Sequence, residues 1–271
     1  MADLPLVTIG IPVKNGANYL DEAVRSAFAQ VYKNIEILIV DDGSDDGNKT
    51  WECISAYGDR VRAIRQTNKG VAGALNSCIK NMRGEFFSWL SHDDLYSPVK
   101  ISTQMEFYKK NPSFTGVLFS SYTRIGEDGQ IIGEPTFDRR YLSNIFYTIL
   151  ATYIHGCSLI VPKQSFEKVG IFAENLQTVC DNDLWLRMAL SGIPFYFQPF
   201  SLVYARDHGM RATYSLHDIH LQETTLFFVN AMKKLLPYIK NLDSGILEEI
   251  LIKRHDAAPA LAVLRAAVQR N

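Results

Sequence analysis

The first hundred residues alternate apolar runs with helical patterns, and this alternation limits the possible folds more than any other feature. Strand and helix in regular succession predict a mostly parallel sheet with helices on both faces. Right-handed crossovers then place every loop that follows a strand at one edge of the sheet. The strands are predicted at residues 6–13, 35–40, 61–65 and 86–90. Helices are predicted at residues 19–30 and 48–56, and a third follows a turn at residues 68–70 and ends at residue 82.

Polar side chains are concentrated in those loops. Ligands of open α/β sheets bind at this edge, and paired carboxylates suit a hard divalent cation that bridges to phosphate. The sequence therefore predicts a diphosphate site held by a metal ion. The loops carry Lys14 and Asn15, Asp41 and Asp42, Asn68, and the run Ser91, His92, Asp93 and Asp94.

Each acidic pair also has a purely structural interpretation. Asp41 and Asp42 precede Gly43 and Ser44, residue types that turns and helix N-caps prefer. The second pair lies shortly before Ser97, a predicted N-cap, with Pro98 at the first helical position. A carboxylate at such a strand end can instead accept hydrogen bonds from a nucleobase or a ribose.

Two motifs in the second half carry further candidate chemistry. Asp181 begins a predicted helix at residues 181–191 and suits either a helix cap or a general base. Asp183 is the nearby rival, although it can form an i,i+4 ion pair with Arg187. His208 lies in a loop with two arginines, which is either a solvated loop or a set of metal and diphosphate contacts. The two arginines are Arg206 and Arg211.

Composition excludes several classes of protein. The chain has 271 residues, a formal net charge of −1 and a pI of about 6.6, so no basic field attracts nucleic acid. None of the four cysteines forms a CxxC pair, which argues against a zinc site. Neither a signal-peptide pattern nor an apolar run near 18 residues is present, and a cytoplasmic location is expected.

The second half departs from the regular alternation near residue 115 and ends in a helical tail. We expect a domain over residues 1–214, with a nucleotide-binding half at 1–114 and an acceptor-binding half at 115–214, and a helical extension at 215–271. The tail has two interpretations. It packs on the domain or into a homodimer, or its apolar and basic residues make a peripheral contact with the inner face of a membrane.

Taken in order, the motifs resemble a known family. The matching segments are VTIGIPVKNGANYLDEAVRSAFAQVYKNIEILIVDDGSDDG, NKGVAGALNSCIKNMRGEFFSWLSHDD, DNDLWLRM and RDH, which span about residues 5–211. They resemble the inverting nucleotide-sugar glycosyltransferases of family 2, which have the GT-A fold. The resemblance implies a Rossmann-like, mostly parallel central sheet flanked by helices. The last sixty residues or so carry no matching motif.

The resemblance also implies an activity. The chain would transfer a sugar from a nucleoside diphosphate sugar, with a UDP-sugar as the expected donor. The acceptor would be a hydroxyl of a saccharide or a lipid-linked saccharide, as in cell-surface polysaccharide synthesis. The cofactor would be Mn²⁺ or Mg²⁺.

Site roles follow from the same resemblance. Asp41 would contact the base and Asp93 the ribose, Asp94 and His208 would hold the metal, and Asp181 would be the catalytic base. Two positions depart from the family pattern, because Ser91 and Cys180 stand where acidic residues are usual. The nucleotide-binding residues implied are Pro12, Val13, Asn15, Asp41, Asn68, Gly70 and Asp93.

Two rival functions remain open on sequence. A sugar-phosphate nucleotidyltransferase uses a similar scaffold, but it usually has a glycine-rich loop with Arg and Lys after the first strand. Here that loop is Lys14-Asn15-Gly16-Ala17-Asn18. A non-catalytic nucleotide-sugar binding relative is the other rival, and Ser91 and Cys180 favour it.

Overall fold

The computed structural model describes residues 4–269, which form two sheets surrounded by helices. The strands are β1 Val7–Val13, β2 Ile35–Asp41, β3 Arg62–Arg65, β4 Phe86–Trp89, β5 Leu95–Tyr96, β6 Val117–Ile125, β7 Ile131–Gly133, β8 Val161–Pro162 and β9 Phe195–Arg206. The helices are α1 Leu20–Phe28, α2 Lys49–Ser55, α3 Gly70–Asn81, α4 Lys100–Lys110, α5 Arg139–Leu142, α6 Ile145–Leu150, α7 Lys163–Val169, α8 Cys180–Leu190, α9 Ala212–Ser215, α10 His217–Leu235, α11 Ser244–Ile252 and α12 Ala258–Val268.

The larger sheet has the order β3-β2-β1-β4-β8, and its first three pairings are parallel. Only the short β8 runs antiparallel to its neighbour β4. Every residue of β1 is buried, as expected for a strand covered on both faces. The predicted parallel core is therefore confirmed, and the ends of β1, β2 and β4 meet at one edge.

The smaller sheet is mixed, with the order β5-β9-β6-β7. Its strand β5 comes directly after Asp94 and pairs with β9, so that Leu95 lies opposite Tyr204. The predicted N-cap at Ser97 is wrong, because the backbone N–H of Ser97 donates to Leu202 O and α4 begins only at Lys100. The pairing of β5 with β9 thus fixes the chain immediately after the acidic pair.

The helical tail packs on the rest of the domain. Phe227 and Phe228 of α10 and Leu264 of α12 are buried in the same apolar core as Trp185 of α8. The end of the predicted helical tail contains two helices, α11 and α12, and Pro259 lies in the first turn of α12. No helix in the part of the chain that the structure describes has the length and apolarity needed to cross a membrane.

Candidate active site

A cavity of about 730 Å³ opens at the edge where β1, β2 and β4 end. Its other side is formed by the segment before β8, the beginning of α8 and the cavity-facing side of α10. Nine of the ten residues predicted for the site line this one cavity, and only Asp41 does not. The nine are Pro12, Val13, Asn15, Asn68, Gly70, Asp93, Asp94, Asp181 and His208.

The pair Asp41 and Asp42 is divided between the interior and the cavity. Asp41 is fully buried, where its Oδ1 accepts the N–H of Ser44 and its Oδ2 lies 3.2 Å from Arg65 Nε. Asp42 lines the cavity, and its Oδ1 accepts the side chain of Gln66 and the N–H of Lys69. Because consecutive residues of a strand point to opposite faces, only one of the two can face a ligand.

Asp93 and Asp94 also have different surroundings. Asp93 Oδ2 lies 2.8 Å from His208 Nε2, so this imidazole contacts Asp93 rather than its predicted partner Asp94. Asp94 is 4% exposed, and its Oδ1 accepts the backbone N–H of Arg206 at 2.9 Å. The two adjacent carboxylates therefore contact different partners in the folded protein.

Their titration differs accordingly. Burial, and then the charge of Asp93, raises the pKa of Asp94 above its ordinary value. Burial also opposes ionisation of Asp93, but the hydrogen bond from His208 and the neighbouring imidazole of His92 outweigh it and lower the pKa of Asp93. One charged carboxylate thus stands beside a second that ionises less readily.

Arg206 holds the acidic loop in place instead of facing a ligand. It is 1% exposed, and its Nε donates to the carbonyl of Asp93 at 3.0 Å. Its remaining nitrogens donate to Glu127 O and to the carboxylate of Glu22, while its guanidinium lies over the ring of Tyr19. Arg206 was a candidate diphosphate contact, but its donors are used within the protein. Arg211 lines the cavity.

Two residues that the sequence analysis missed lie next to Asp94. His155 Nε2 is 3.7 Å from Asp94 Oδ2, and the ligand atoms of Asp94, His155 and Cys157 all lie within 4.8 Å of one another. Cys157 also accepts the N–H of Ser91 through its sulfur, at 3.2 Å. The run His-Gly-Cys was a possible signal, but its position before a short strand gave no reason to place it beside the acidic pair.

Asp181 lines the same cavity, from the beginning of α8. Its Oδ1 accepts the N–H of Asn182 at 2.8 Å, and burial raises its pKa to about 6. The rival Asp183 is absent from the cavity lining and instead forms an ion pair with Arg187 at 2.8 Å. A carboxylate with a pKa near neutrality can take a proton from a bound hydroxyl.

The helical tail forms part of the same cavity. His220, Thr224 and Phe227 lie on one face of α10, with the i, i+4, i+7 spacing of a helix, and all three line the cavity. Arg254, which follows α11, lines it as well. The sequence analysis assigned no motif to this region, and helical periodicity alone did not distinguish a cavity wall from an ordinary packed face.

The chain is similar in sequence to known glycosyltransferases. The model of the family "Glycosyl transferase family 2" matches residues 8–170. An uncharacterized glycosyltransferase of Rickettsia felis is 38% identical over 267 residues, which are 97% of this chain but only 42% of the relative. The Escherichia coli protein named UDP-Glc:alpha-D-GlcNAc-diphosphoundecaprenol beta-1,3-glucosyltransferase WfaP is 28% identical, over 93% of this chain and 89% of its own length.

Solved structures share the fold. Staphylococcus aureus TarS residues 1–349 in complex with UDP superpose with a TM-score of 0.68 at 16% identity, covering 97% of this chain and 81% of that one. The mannosyltransferase PcManGT of Pyrobaculum calidifontis, in complex with GDP-Man and Mn²⁺, gives 0.66 at 17% identity, covering 99% and 75%. The implied GT-A architecture is therefore confirmed.

Proposed function

The chain belongs to glycosyl transferase family 2, and from that membership we propose that it is a metal-dependent inverting glycosyltransferase. It moves a sugar from a nucleoside diphosphate sugar, a UDP-sugar by preference, to a hydroxyl of a saccharide or lipid-linked saccharide. The name of WfaP and the UDP bound to TarS support a UDP-linked donor. We assign the nucleotide to residues 1–114 and the acceptor to residues 115–214 together with the tail.

One observation carries this proposal. Asp181 faces the same cavity as Asp93 and Asp94, but from the helical side and with a pKa raised to about 6. Single displacement at an anomeric carbon needs a base on the side opposite the leaving diphosphate. A carboxylate that lines the cavity from α8, and not from the acidic strand edge, suits that role.

The residues around Asp94 fit a divalent cation. Asp94 Oδ1 accepts the backbone N–H of Arg206. Asp94 Oδ2 lies 3.7 Å from His155 Nε2, which is beyond the length of a hydrogen bond. A carboxylate oxygen beside an imidazole is a donor set that Mn²⁺ accepts, and an oxygen alone suits Mg²⁺. When bound, such an ion offsets the charge that develops on the leaving diphosphate. We propose that Asp94 and His155 would hold the ion. His208, the second ligand expected from sequence, contacts Asp93 in the structure.

The protein's own groups then have separate tasks. Asp93 accepts hydrogen bonds from the ribose, and Asp181 removes the proton of the attacking acceptor hydroxyl. Arg211, which lines the cavity, contacts the diphosphate. We place this reaction in the cytoplasm, at the inner face of the membrane when the acceptor is lipid-linked, as a step in polysaccharide synthesis.

The decisive experiment compares Asp181→Asn with Asp183→Asn. General-base assistance is worth about 10²–10⁴-fold in rate, so Asp181→Asn should lower turnover by that factor and leave UDP binding intact. Asp183→Asn removes a carboxylate two residues away that lies outside the cavity, and turnover should stay within about twofold. Turnover is measured as UDP release from UDP-glucose and UDP-N-acetylglucosamine with Mn²⁺, with and without saccharide acceptors.

The outcomes separate the rival functions. Near-normal turnover of Asp181→Asn would refute the base assignment. Binding of UDP-sugars without UDP release by the wild-type protein, whatever acceptor is supplied, would indicate a non-catalytic binding protein. Release of pyrophosphate from UTP and a sugar 1-phosphate would instead indicate a nucleotidyltransferase.

A further inference from the structure

Helix α10, in the part of the chain without a recognised motif, is joined directly to the segment that carries Asp181. Both carboxylate oxygens of Glu223 take part. Oε1 accepts the backbone N–H of Gln177 at 2.8 Å, and Oε2 accepts the backbone N–H of Thr178 at 2.8 Å and its hydroxyl at 2.9 Å. Hydrogen bonds to an ionised acceptor are shorter and stronger than those between neutral groups.

The beginning of α8 is packed in the core through Val179 and Cys180 but has no side-chain cap. The carboxylate of Asp181 is itself the acceptor for the N–H of Asn182. The two residues that Glu223 holds, Gln177 and Thr178, line the cavity together with Asp181. Glu223 therefore supplies side-chain hydrogen bonds to the backbone that leads into the helix start.

Glu223 also acts electrostatically on the same helix start. After burial and the charge of Asp181, the charge of Glu223 contributes to raising the pKa of the Cys180 thiol. Cys180 is the position where the family pattern has a glutamate, and the tail thus brings a carboxylate back to its neighbourhood from forty-three residues further along the sequence.

We propose that Glu223 is a positioning residue for the catalytic base, so that the C-terminal extension completes the active site. This rests on the role given to Asp181 under the proposed function. A base must come within about 2.6–3.2 Å of the proton that it removes. A misplacement of about 1 Å can cost about 100-fold in rate. Fixing the backbone three residues before Asp181 prevents such a displacement.

Two variants test this contact. Glu223→Gln keeps one acceptor oxygen but turns an amide NH₂ toward a backbone N–H, and Glu223→Ala removes all three hydrogen bonds. Both should lower the hydrolysis of UDP-glucose with Mn²⁺ by about 10–100-fold, with the larger loss in Glu223→Ala. The affinity for UDP should stay within about twofold, because the nucleotide contacts lie on the other side of the cavity.

Two further measurements detect what a purely structural role would not change. The pH midpoint of turnover should fall in Glu223→Ala, because a displaced Asp181 leaves its buried surroundings. Amide hydrogen exchange should become faster at residues 177 and 178 and over the start of α8. Glu248→Gln is the matched control, since it removes a tail carboxylate that is paired with Arg265 at the surface and should change neither quantity.

Three results would overturn the proposal. Wild-type exchange at residues 177 and 178 in Glu223→Ala would show that the contact does not hold the segment. Wild-type turnover with faster exchange would show that the contact does not matter to the base. A loss of UDP affinity in proportion to the loss of turnover would show general support of the fold. Failure of Asp181→Asn to lower turnover is a different result, which refutes the proposed base itself.

Discussion

The cavity has two walls that are built in different ways. The strand-edge wall, residues 12–94, consists of loops that follow consecutive parallel strands, so residues close in space are also ordered along the sequence. The helical wall, residues 152–254, gathers short pieces from separate helices and loops. The residues proposed for the base and the ribose of the donor are therefore encoded locally, whereas those proposed for the diphosphate and the acceptor depend on tertiary packing.

The walls also differ in how they treat charge. On the strand-edge wall, Asp93 and Asp94 are met by the imidazole of His208 and the backbone N–H of Arg206. On the helical wall, the carboxylate of Asp181 accepts the N–H of Asn182, and burial raises the pKa of Asp181 to about 6. One wall can therefore hold a cation or a polar ligand, whereas the other keeps a carboxylate that is ready to take a proton.

The largest expected effect lies on the strand-edge wall. Asp94→Ala removes the proposed metal ligand, and loss of a group that merely supports a ligand already costs about 10–100-fold in metal affinity. We expect the Mn²⁺-dependent affinity for UDP to fall by about 100-fold or more in calorimetry. In EDTA the variant and the wild type should bind UDP equally. The control variant Asp218→Ala, at an exposed position of α10, should bind UDP as the wild type does. Equal affinities in Mn²⁺ would contradict the metal role.

The next largest effect is on the stability of the protein, and it comes from Asp181 on the helical wall. Asp181 has a folded-state pKa of about 6 against an ordinary 3.8. Its contribution to folding is therefore fully present below the ordinary pKa and is lost as pH rises through 6. Above that pH the folded protein must hold an ionised, poorly solvated carboxylate. Asp181→Asn should then raise the free energy of unfolding at pH 8 by about 1–3 kcal/mol, since each pKa unit corresponds to about 1.36 kcal/mol.

Denaturant unfolding of the wild type and Asp181→Asn at pH 8 and pH 4 measures this difference. The gain should be much smaller at pH 4, where the carboxyl group of Asp181 is protonated in the folded protein. A gain of the same size at both pH values would mean that packing, and not the charge, is responsible. A variant that is less stable at pH 8 would contradict the raised pKa.

The pH dependence of turnover gives a smaller but more specific effect. If Asp181 must be ionised to accept the proton, turnover at saturating donor should fall about tenfold per pH unit below 6 and level off above it. Asp181→Asn should lose this dependence together with most of its activity. A wild-type midpoint near the ordinary pKa of aspartate would show that the base is better solvated than the structure indicates.

Sequence reasoning succeeded where one element determines the position of a residue. The strand-end loops brought Pro12, Val13, Asn68, Asp93 and Asp94 into one cavity, as the parallel sheet requires. The helix signal at Asp181 also placed this residue at a helix start that faces the same cavity. In each case the local pattern contains the information, because the register of a strand or the start of a helix orients the side chain.

It failed where orientation depends on a partner that is distant in sequence. Arg206 was assigned to a ligand, yet it is buried by contacts with Glu22 and Glu127, far earlier in the chain. His155 and Glu223 were not assigned at all, because their partners Asp94 and Thr178 are set by how the loop and the tail pack. Periodicity identifies a packed face but not which segment it packs against.

The smallest expected effect concerns which residue of the strand-edge wall contacts the nucleobase, Asp41 or Asp42. Asp41 was the predicted base contact, but Asp42 is the one that lines the cavity. In Asp42→Asn an amide donor replaces one carboxylate oxygen, so a nucleobase N–H loses its acceptor. The loss of about one hydrogen bond should weaken UDP binding by about five- to tenfold in calorimetry.

In Asp41→Asn the ion pair with Arg65 is lost, which should lower stability by about 1 kcal/mol and leave UDP affinity within about twofold. The opposite pattern would restore Asp41 as the base contact and would require the end of β2 to reorient when the nucleotide binds.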